Sequence, residues 1–305
     1  MHLTGETAME RQSGGASKDG AVQTERRRVL ITGCSSGFGL LTAVQAAGSG
    51  FDVVATVRNP VRADALRRAL DARGLDAKID TLDVTDSEHI RRIADRYEPI
   101  DVLVNNAGIL INGSFVDLSE RELRDVFETN YFGAVALTRA VAGPMLRRRR
   151  GRIINVASLA GSVGYPYCSA YAASKAALIA FTQSIRVELA PFGIDVVSVE
   201  PGFHKTQIIG SNARPADRFD DPDSPLASYG RSSLRALAGD LLPWAGSPEK
   251  VARRIVRLMS VRRPRTRYVL GTDARLAAAF RWLGLAGAME RLFIRRIERA
   301  HRRTP

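Results

Sequence analysis

"RVLITGCSSGFG", residues 28–39, decides the fold. A short apolar run, Val29 to Ile31, ends on glycine and continues with the spacing Gly33-x-x-x-Gly37-x-Gly39. A strand that closes on glycines and enters a helix lets main chain approach a pyrophosphate. The helix N-terminus then offers amide donors and the positive end of its dipole. Ser35, Ser36 and Phe38 fill the loop between the glycines and join them as candidate cofactor contacts. The spacing is not the commoner Gly-x-Gly-x-x-Gly, and glycine turns also serve plain strand-to-helix closure. The weight therefore rests on what surrounds the loop.

Six further apolar runs follow: "DVVATV", "KIDTLDV", "DVLVNNAG", "RIINVAS", "IDVVSVEPG" and "RYVLG". Longer segments of helical period separate them. Several runs are apolar at consecutive positions, as strands covered on both faces must be. The alternation predicts an α/β protein: a single Rossmann-type, doubly wound parallel sheet with helices on both faces and right-handed crossovers. Residues 1–26 are polar and without period, and read as a disordered leader. The catalytic domain is expected over 27–272. Within it, 203–246 is rich in Pro, Asp and Gly and is expected to be a long substrate lid. Residues 273–305 form a helical extension expected to pack on the same domain. Leu276, Phe280 and Leu283 make one stripe there, and Met289, Leu292, Phe293 and Ile297 a second. The default for such stripes is core or dimer packing; the alternative is a basic helix lying in a membrane interface.

The 305 residues carry a net charge of +13, almost wholly from arginine. The basic clusters stand at separate points in the sequence and no recognition motif accompanies them, so a nucleic-acid partner is not expected. No apolar run reaches eighteen residues and the N-terminus lacks the apolar middle of a secretory signal, which predicts a cytoplasmic protein. Two cysteines, Cys34 and Cys168, are too few for a disulfide framework and lack metal-ligand spacing.

The end of the second strand bears on which dinucleotide is bound. A carboxylate there would suit the ribose hydroxyls of NAD, but "ATVRNP" offers Arg58. A guanidinium pairs with a 2′-phosphate that a carboxylate would repel. NADP(H) is therefore expected over NAD(H).

"YCSAYAASKAAL", residues 167–178, places Tyr171 four positions before Lys175, on one helical face. A phenol of pKa near 10 is a poor proton carrier at neutral pH, and a nearby ammonium lowers that value. Ser158, at the end of "RIINVAS", supplies a hydroxyl for a substrate oxygen.

With these residues in place the sequence resembles the short-chain dehydrogenase/reductase family. The matching pieces are "TGCSSGFG" (32–39), Asp83 in "LDVT", "NNAG" (105–108), Asn130 in "TNYFG", Ser158, "YAASK" (171–175) and "PGFHKT" (201–206). They fall in family order across residues 28–210. The resemblance implies that Tyr171 is the general acid or base, that Lys175 tunes it and binds the nicotinamide ribose, and that Ser158 holds the substrate oxygen. Asn130 would support a water-linked proton relay. Asp83, with Val84 beside it, would meet adenine, and Asn105, Ala107 and Gly108 would line the cofactor floor. Thr206, after Pro201 and Gly202, would fix the carboxamide. His204 would be a lid residue. No metal is needed.

The long lid and the ending "RYVLGTDARLAAAFRWLG" are more like the retinol and hydroxysteroid dehydrogenase branch, which implies a small lipophilic substrate. The alternatives are an acyl or polyketide thioester ketoreductase acting on a carrier protein, and a regulator that senses NADP(H) without turnover. By the same likeness, helices around 134–148 and 170–189 would pair into a homodimer or homotetramer.

Overall fold

The computed structural model describes residues 26–206, 213–241 and 245–302. The expected leader, up to residue 25, lies outside the described residues. So do 207–212 and 242–244 of the expected lid and the last three residues of the extension.

The chain alternates strand and helix from the start: β1 (Arg28–Ile31), α1 (Gly37–Gly48), β2 (Asp52–Val57), α2 (Asp64–Asp71), β3 (Lys78–Thr81), α3 (Ser87–Arg96) and β4 (Val102–Asn105). Then come β5 (Leu110–Asn112), α4 (Glu120–Phe127), α5 (Gly133–Arg148), β6 (Gly151–Val156), α6 (Ser169–Leu189) and β7 (Ile194–Pro201). The chain closes with β8 (Ala213–Pro215), α7 (Ala227–Leu241), α8 (Pro248–Ser260), β9 (Arg267–Leu270), α9 (Thr272–Trp282) and α10 (Ala286–Arg302).

All seven runs read as strands from the sequence pair in one parallel sheet of order β3-β2-β1-β4-β6-β7-β9. Alternate residues of one strand enter opposite cores. Val29 and Ile31 pack with residues of α1, α2 and α8, whereas Leu30 packs with residues of α3 and α5. That two-sided burial is why the strands read as continuous apolar runs. Strand order reverses between β1 and β4, so a crevice opens beyond their carboxyl ends, where ligands of such sheets bind.

The sheet centre also holds a buried polar chain. The Asn105 amide donates to Thr138 Oγ1 (3.0 Å) and to Asn155 Oδ1 (2.8 Å), and the Asn155 amide donates to Thr182 Oγ1 (2.9 Å). The amides of Asn105 and Asn155 both find acceptors here, which makes the chain costly to interrupt. Several arginines of the basic run are similarly spent. Arg147 pairs with Glu98, Arg150 with Asp101, and Arg148 donates to the Ile100 carbonyl.

The lid is more ordered than its composition suggests. β8 pairs in parallel with β5 as a separate two-stranded sheet, and α7 follows. Glu122, fully buried on α4, fastens this limb: it accepts from the Asp217 amide (2.9 Å) and pairs with Arg214 (3.3 Å). The extension departs from expectation in one respect. Met289 and Phe293 pack with Leu159, Val163, Tyr165 and Ala274, and α10 lies along α7 with the Tyr229 and His301 rings stacked 3.6 Å apart. The stripe Leu276, Phe280, Leu283 stays exposed, because α9 turns its small Ala274 and Ala277 inward. Among the described residues no helix is long and apolar enough to cross a membrane.

Replacing Asn155 with Leu leaves both the Asn105 amide and the Thr182 hydroxyl short of a partner at no gain in packing volume. The expected loss is about 2–3 kcal/mol of unfolding free energy, read from the urea midpoint at unchanged slope.

Candidate active site

The glycine loop joins β1 to α1 and needs its glycines for separate reasons. Gly33 and Gly37 have φ of 71° and 56°, a region that suits residues without a Cβ. A Cβ on Gly33 would also lie 2.9 Å from the Ala107 Cα, and one on Gly39 would strike the Gly33 carbonyl. The loop is therefore pressed against the turn after β4. Thr32 stitches the two together: its hydroxyl accepts from the Asn106 and Ala107 amides, both at 2.9 Å. Asn106 returns the clamp by donating to the Thr32 carbonyl (2.8 Å) and the Gly33 carbonyl (3.2 Å).

Asn106 is the side chain of "NNAG" that shapes this crevice, and it was not singled out from the sequence. Asn105 corrects the expectation: its amide is turned into the buried polar chain, so its side chain serves the core and not the cofactor floor. Val84 is likewise buried, with Gly133 packed against it. Asp83 is partly exposed and accepts from the Thr85 amide (3.0 Å) and hydroxyl (2.8 Å) through one oxygen. Arg58 stands exposed past β2 and has no carboxylate partner among the described residues.

On the far wall, the turn after β7 carries Pro201, Gly202 and Thr206. A Cβ on Gly37 would lie 3.7 Å from Thr206 Cβ, so Thr206 faces the glycine loop across the crevice. Asp273, at the start of α9, accepts from the Phe203 amide at 2.6 Å and fixes this turn. His204 corrects the lid expectation. It is buried, its Nδ1 is 3.0 Å from the Gly202 carbonyl, and its ring meets Phe38 edge-on at 5.7 Å. Both thiols hold their protons, with Cys34 and Cys168 each pushed up to about 12 by burial.

α6 brings Tyr171 and Lys175 to the crevice floor. Lys175 is buried and donates to the Val156 carbonyl at 2.9 Å, with its Nζ 5.8 Å from the centre of the Tyr171 ring. Ser158 caps the short turn Leu159–Gly161 after β6, accepting from the Ala160 amide at 3.1 Å, and its hydroxyl hydrogen-bonds that of Tyr171. Gly108 closes the group: a Cβ there would lie 3.1 Å from Asn130 Oδ1 and 3.4 Å from Lys175 Nζ. Asn130 sits in a π-type turn, Glu128–Phe132, between α4 and α5. It accepts from the Ile109 amide (2.8 Å) and donates to the Ile109 carbonyl and the Ser174 hydroxyl (both 3.0 Å). Ile109, Ile111 and the lid residues Ala216 and Phe219 make an apolar wall beside Tyr171.

The electrostatics differ from the simple expectation that the ammonium acidifies the phenol. Burial is the largest influence on both groups: it pushes Tyr171 up to about 12, against the Ser158 hydrogen bond, and Lys175 down to about 8. The scaffold thus holds Tyr171 as a protonated acid beside a lysine that titrates close to physiological pH.

The chain matches the family model described as short chain dehydrogenase over residues 27–216. Retinol dehydrogenase 8 of Bos taurus is 38% identical over 247 residues, covering 78% of this chain and 79% of that protein. A short-chain dehydrogenase from Streptomyces avermitilis superposes with a TM-score of 0.73 at 35% identity, covering 92% of this chain and 99% of that one. An actinorhodin polyketide ketoreductase solved with NADPH gives 0.67 at 30% identity, over 81% of this chain and 95% of that one.

Lys175 supports the sites around it at a cost in stability. Its folded pKa lies below that of a free lysine, so the penalty is fully present below pH 8 and fades as pH rises toward 10.5. Lys175→Met is expected to raise unfolding free energy at pH 7 by about 2 kcal/mol: roughly 3 from the removed charge, less about 1 for the Val156 carbonyl left without its donor. The gain shrinks to nothing by about pH 10, read as the difference in denaturant midpoints across pH.

A glycine loop at the strand-order reversal, a serine after β6 hydrogen-bonded to a tyrosine one turn before a buried lysine, and these matches together place the chain in the short-chain dehydrogenase family of oxidoreductases.

Proposed function

We propose that the protein transfers hydride between NADP(H) and the carbonyl or alcohol carbon of a lipophilic substrate such as a steroid or retinoid. The observation that carries this reading is the convergence of the Ser158 and Tyr171 hydroxyls beside an apolar wall at the mouth of the glycine crevice.

The crevice fits a dinucleotide. Gly33, Gly37 and Gly39 leave main chain open to a pyrophosphate at the N-terminus of α1, and Asp83 and Thr206 stand at opposite ends. Arg58, free of ion pairs among the described residues, suits a 2′-phosphate, and the likeness to a ketoreductase solved with NADPH supports that choice. When bound, the nicotinamide supplies hydride to the carbonyl carbon or takes it from the alcohol carbon.

The chain's own residues then handle the oxygen. In reduction, Ser158 donates a hydrogen bond to the carbonyl oxygen and Tyr171 gives that oxygen its hydroxyl proton; in oxidation, Tyr171 takes the proton back. Lys175, titrating near neutrality, sits where it can return a proton to Tyr171. The role we assign to Asn130 is positional. Its amide is engaged by Ile109 and Ser174, so it holds the 108–109 main chain and α6 around Lys175.

The lipophilic substrate is supported by Ile109 and Phe219 packing beside Tyr171, and by the match to a retinol dehydrogenase that extends over most of the chain. Burying a steroid-sized skeleton against such a wall contributes about 25 cal/mol per Å² before binding costs. The thioester reading keeps support from the ketoreductase likeness. The family likeness also favours a homodimer or homotetramer through α5 and α6.

Tyr171→Phe is expected to lower kcat by roughly 100- to 10,000-fold with an unchanged Kd for NADPH; retained turnover would remove Tyr171 from proton transfer. Arg58→Asp should move the NADPH/NADH ratio of kcat/KM toward NADH by about 100-fold, and an unmoved ratio would detach Arg58 from the cofactor. Cofactor oxidation is then followed with lipophilic ketones, aldehydes and carrier-bound acyl thioesters. Activity confined to the thioesters would overturn the lipophilic assignment.

A further inference from the structure

The exposed apolar side chains are concentrated at the C-terminal end. Leu276, Phe280 and Leu283 recur at i, i+4 and i+7 along α9 and point to solvent, and Trp282 (85% exposed) and Leu285 join them at the turn into α10. Leu276 alone leaves 58% of its surface uncovered. Their exposure is not incidental to a poorly packed helix, because α9 is anchored on its other side by buried Ala274 and by Asp273 on the Phe203 amide.

A second stripe follows on the next helix. Arg291, Arg295, Arg299 and Arg302 recur at i, i+4, i+8 and i+11 along α10, all exposed and none with a carboxylate partner among the described residues. The opposite side of α10, with Met289 and Phe293, packs on the domain. Elsewhere in the fold several arginines close ion pairs, as Arg147, Arg150 and Arg152 do. The α10 stripe is therefore a charge the fold itself does not use.

From these two stripes we infer that the exposed sides of α9 and α10 form a docking surface for a membrane rich in anionic phospholipid. Apolar side chains with an indole at the rim enter the boundary between headgroups and acyl chains, and the arginines meet the phosphates. A second copy of this chain is the less suitable occupant. A two-fold contact through this face meets only the same surface again, so it supplies no excess of negative charge to answer the arginines. The placement has a use: α10 packs along α7 of the lid and its Phe293 ring meets Tyr165, so the helix that carries the arginines is held to the lid. The docking inference does not need the substrate assignment, and it is read without turnover.

The test is co-sedimentation of the full chain with vesicles of phosphatidylglycerol and phosphatidylcholine in equal parts, or of phosphatidylcholine alone. Capture by the anionic vesicles is expected, weakened about 100-fold on neutral ones and released by about 0.5 M salt. The triple variant Arg291→Gln, Arg295→Gln, Arg299→Gln should lose about 100-fold in affinity, and Leu276→Ser with Leu283→Ser a comparable amount. These positions are exposed, so circular dichroism and turnover of a water-soluble ketone should stay unchanged. Equal binding to both vesicle types, or variants that bind as the parent does, would overturn the inference. Self-association abolished by the leucine variant, without vesicle capture, would assign the face to a second copy. Capture without reduction of any lipophilic ketone would leave the docking surface standing and remove the proposed substrate class.

Discussion

Everything at this site is arranged around an ammonium that is kept from water. Lys175 has the Val156 carbonyl as its hydrogen-bond acceptor, and that single bond ties α6 to the end of β6. The tie sets the distance between Tyr171, on the helix, and Ser158, two residues past the strand. Gly161 lets the turn after Ser158 sit directly on the Lys175 main chain, where any side chain would collide. Gly108 comes close from the β4 side, where a Cβ would lie 3.1 Å from Asn130 Oδ1 and 3.4 Å from Lys175 Nζ, and Asn130 locks that approach through Ile109. A buried charge is expensive unless its surroundings are fixed, so the groups that accommodate it also fix the Ser158 and Tyr171 hydroxyls.

The sheet was legible in the sequence for a physical reason. Strands covered on both faces must be apolar at successive positions, and several of the seven runs met that condition, all of them in the right order with glycines after the first. The pairing on α6 was legible because Tyr171 and Lys175 stand one turn apart. The lid was not. β5 and β8 have three residues each, too few for any period to emerge, and their pairing depends on a buried carboxylate, Glu122, that reads as one acid in a charged helix.

Which side of the extension faces inward was not legible for a different reason. A helix with three large apolar residues on one stripe and alanines on another gives the same period whichever side faces inward. Here Ala274 and Ala277 face the domain while Leu276, Phe280 and Leu283 face solvent. Asn106 and Asp273 were missed because each acts on main chain far away in sequence, the one on Thr32 and Gly33 and the other on Phe203. Asn105 was taken for its neighbour's task for want of any sequence signal about which asparagine turns inward.

The Asp273 contact makes the tail part of the enzyme's keystone and not an ornament on it. A carboxylate contributed after the last strand fixes the main chain that presents Thr206, while Arg281 reaches back to the carbonyl of Ser162, four residues past Ser158. A lineage that trimmed this ending would have to rebuild both supports at once. The terminal helices and the reaction centre are therefore bound to diverge together, even though no residue of the tail comes from the segment that carries the family's motifs.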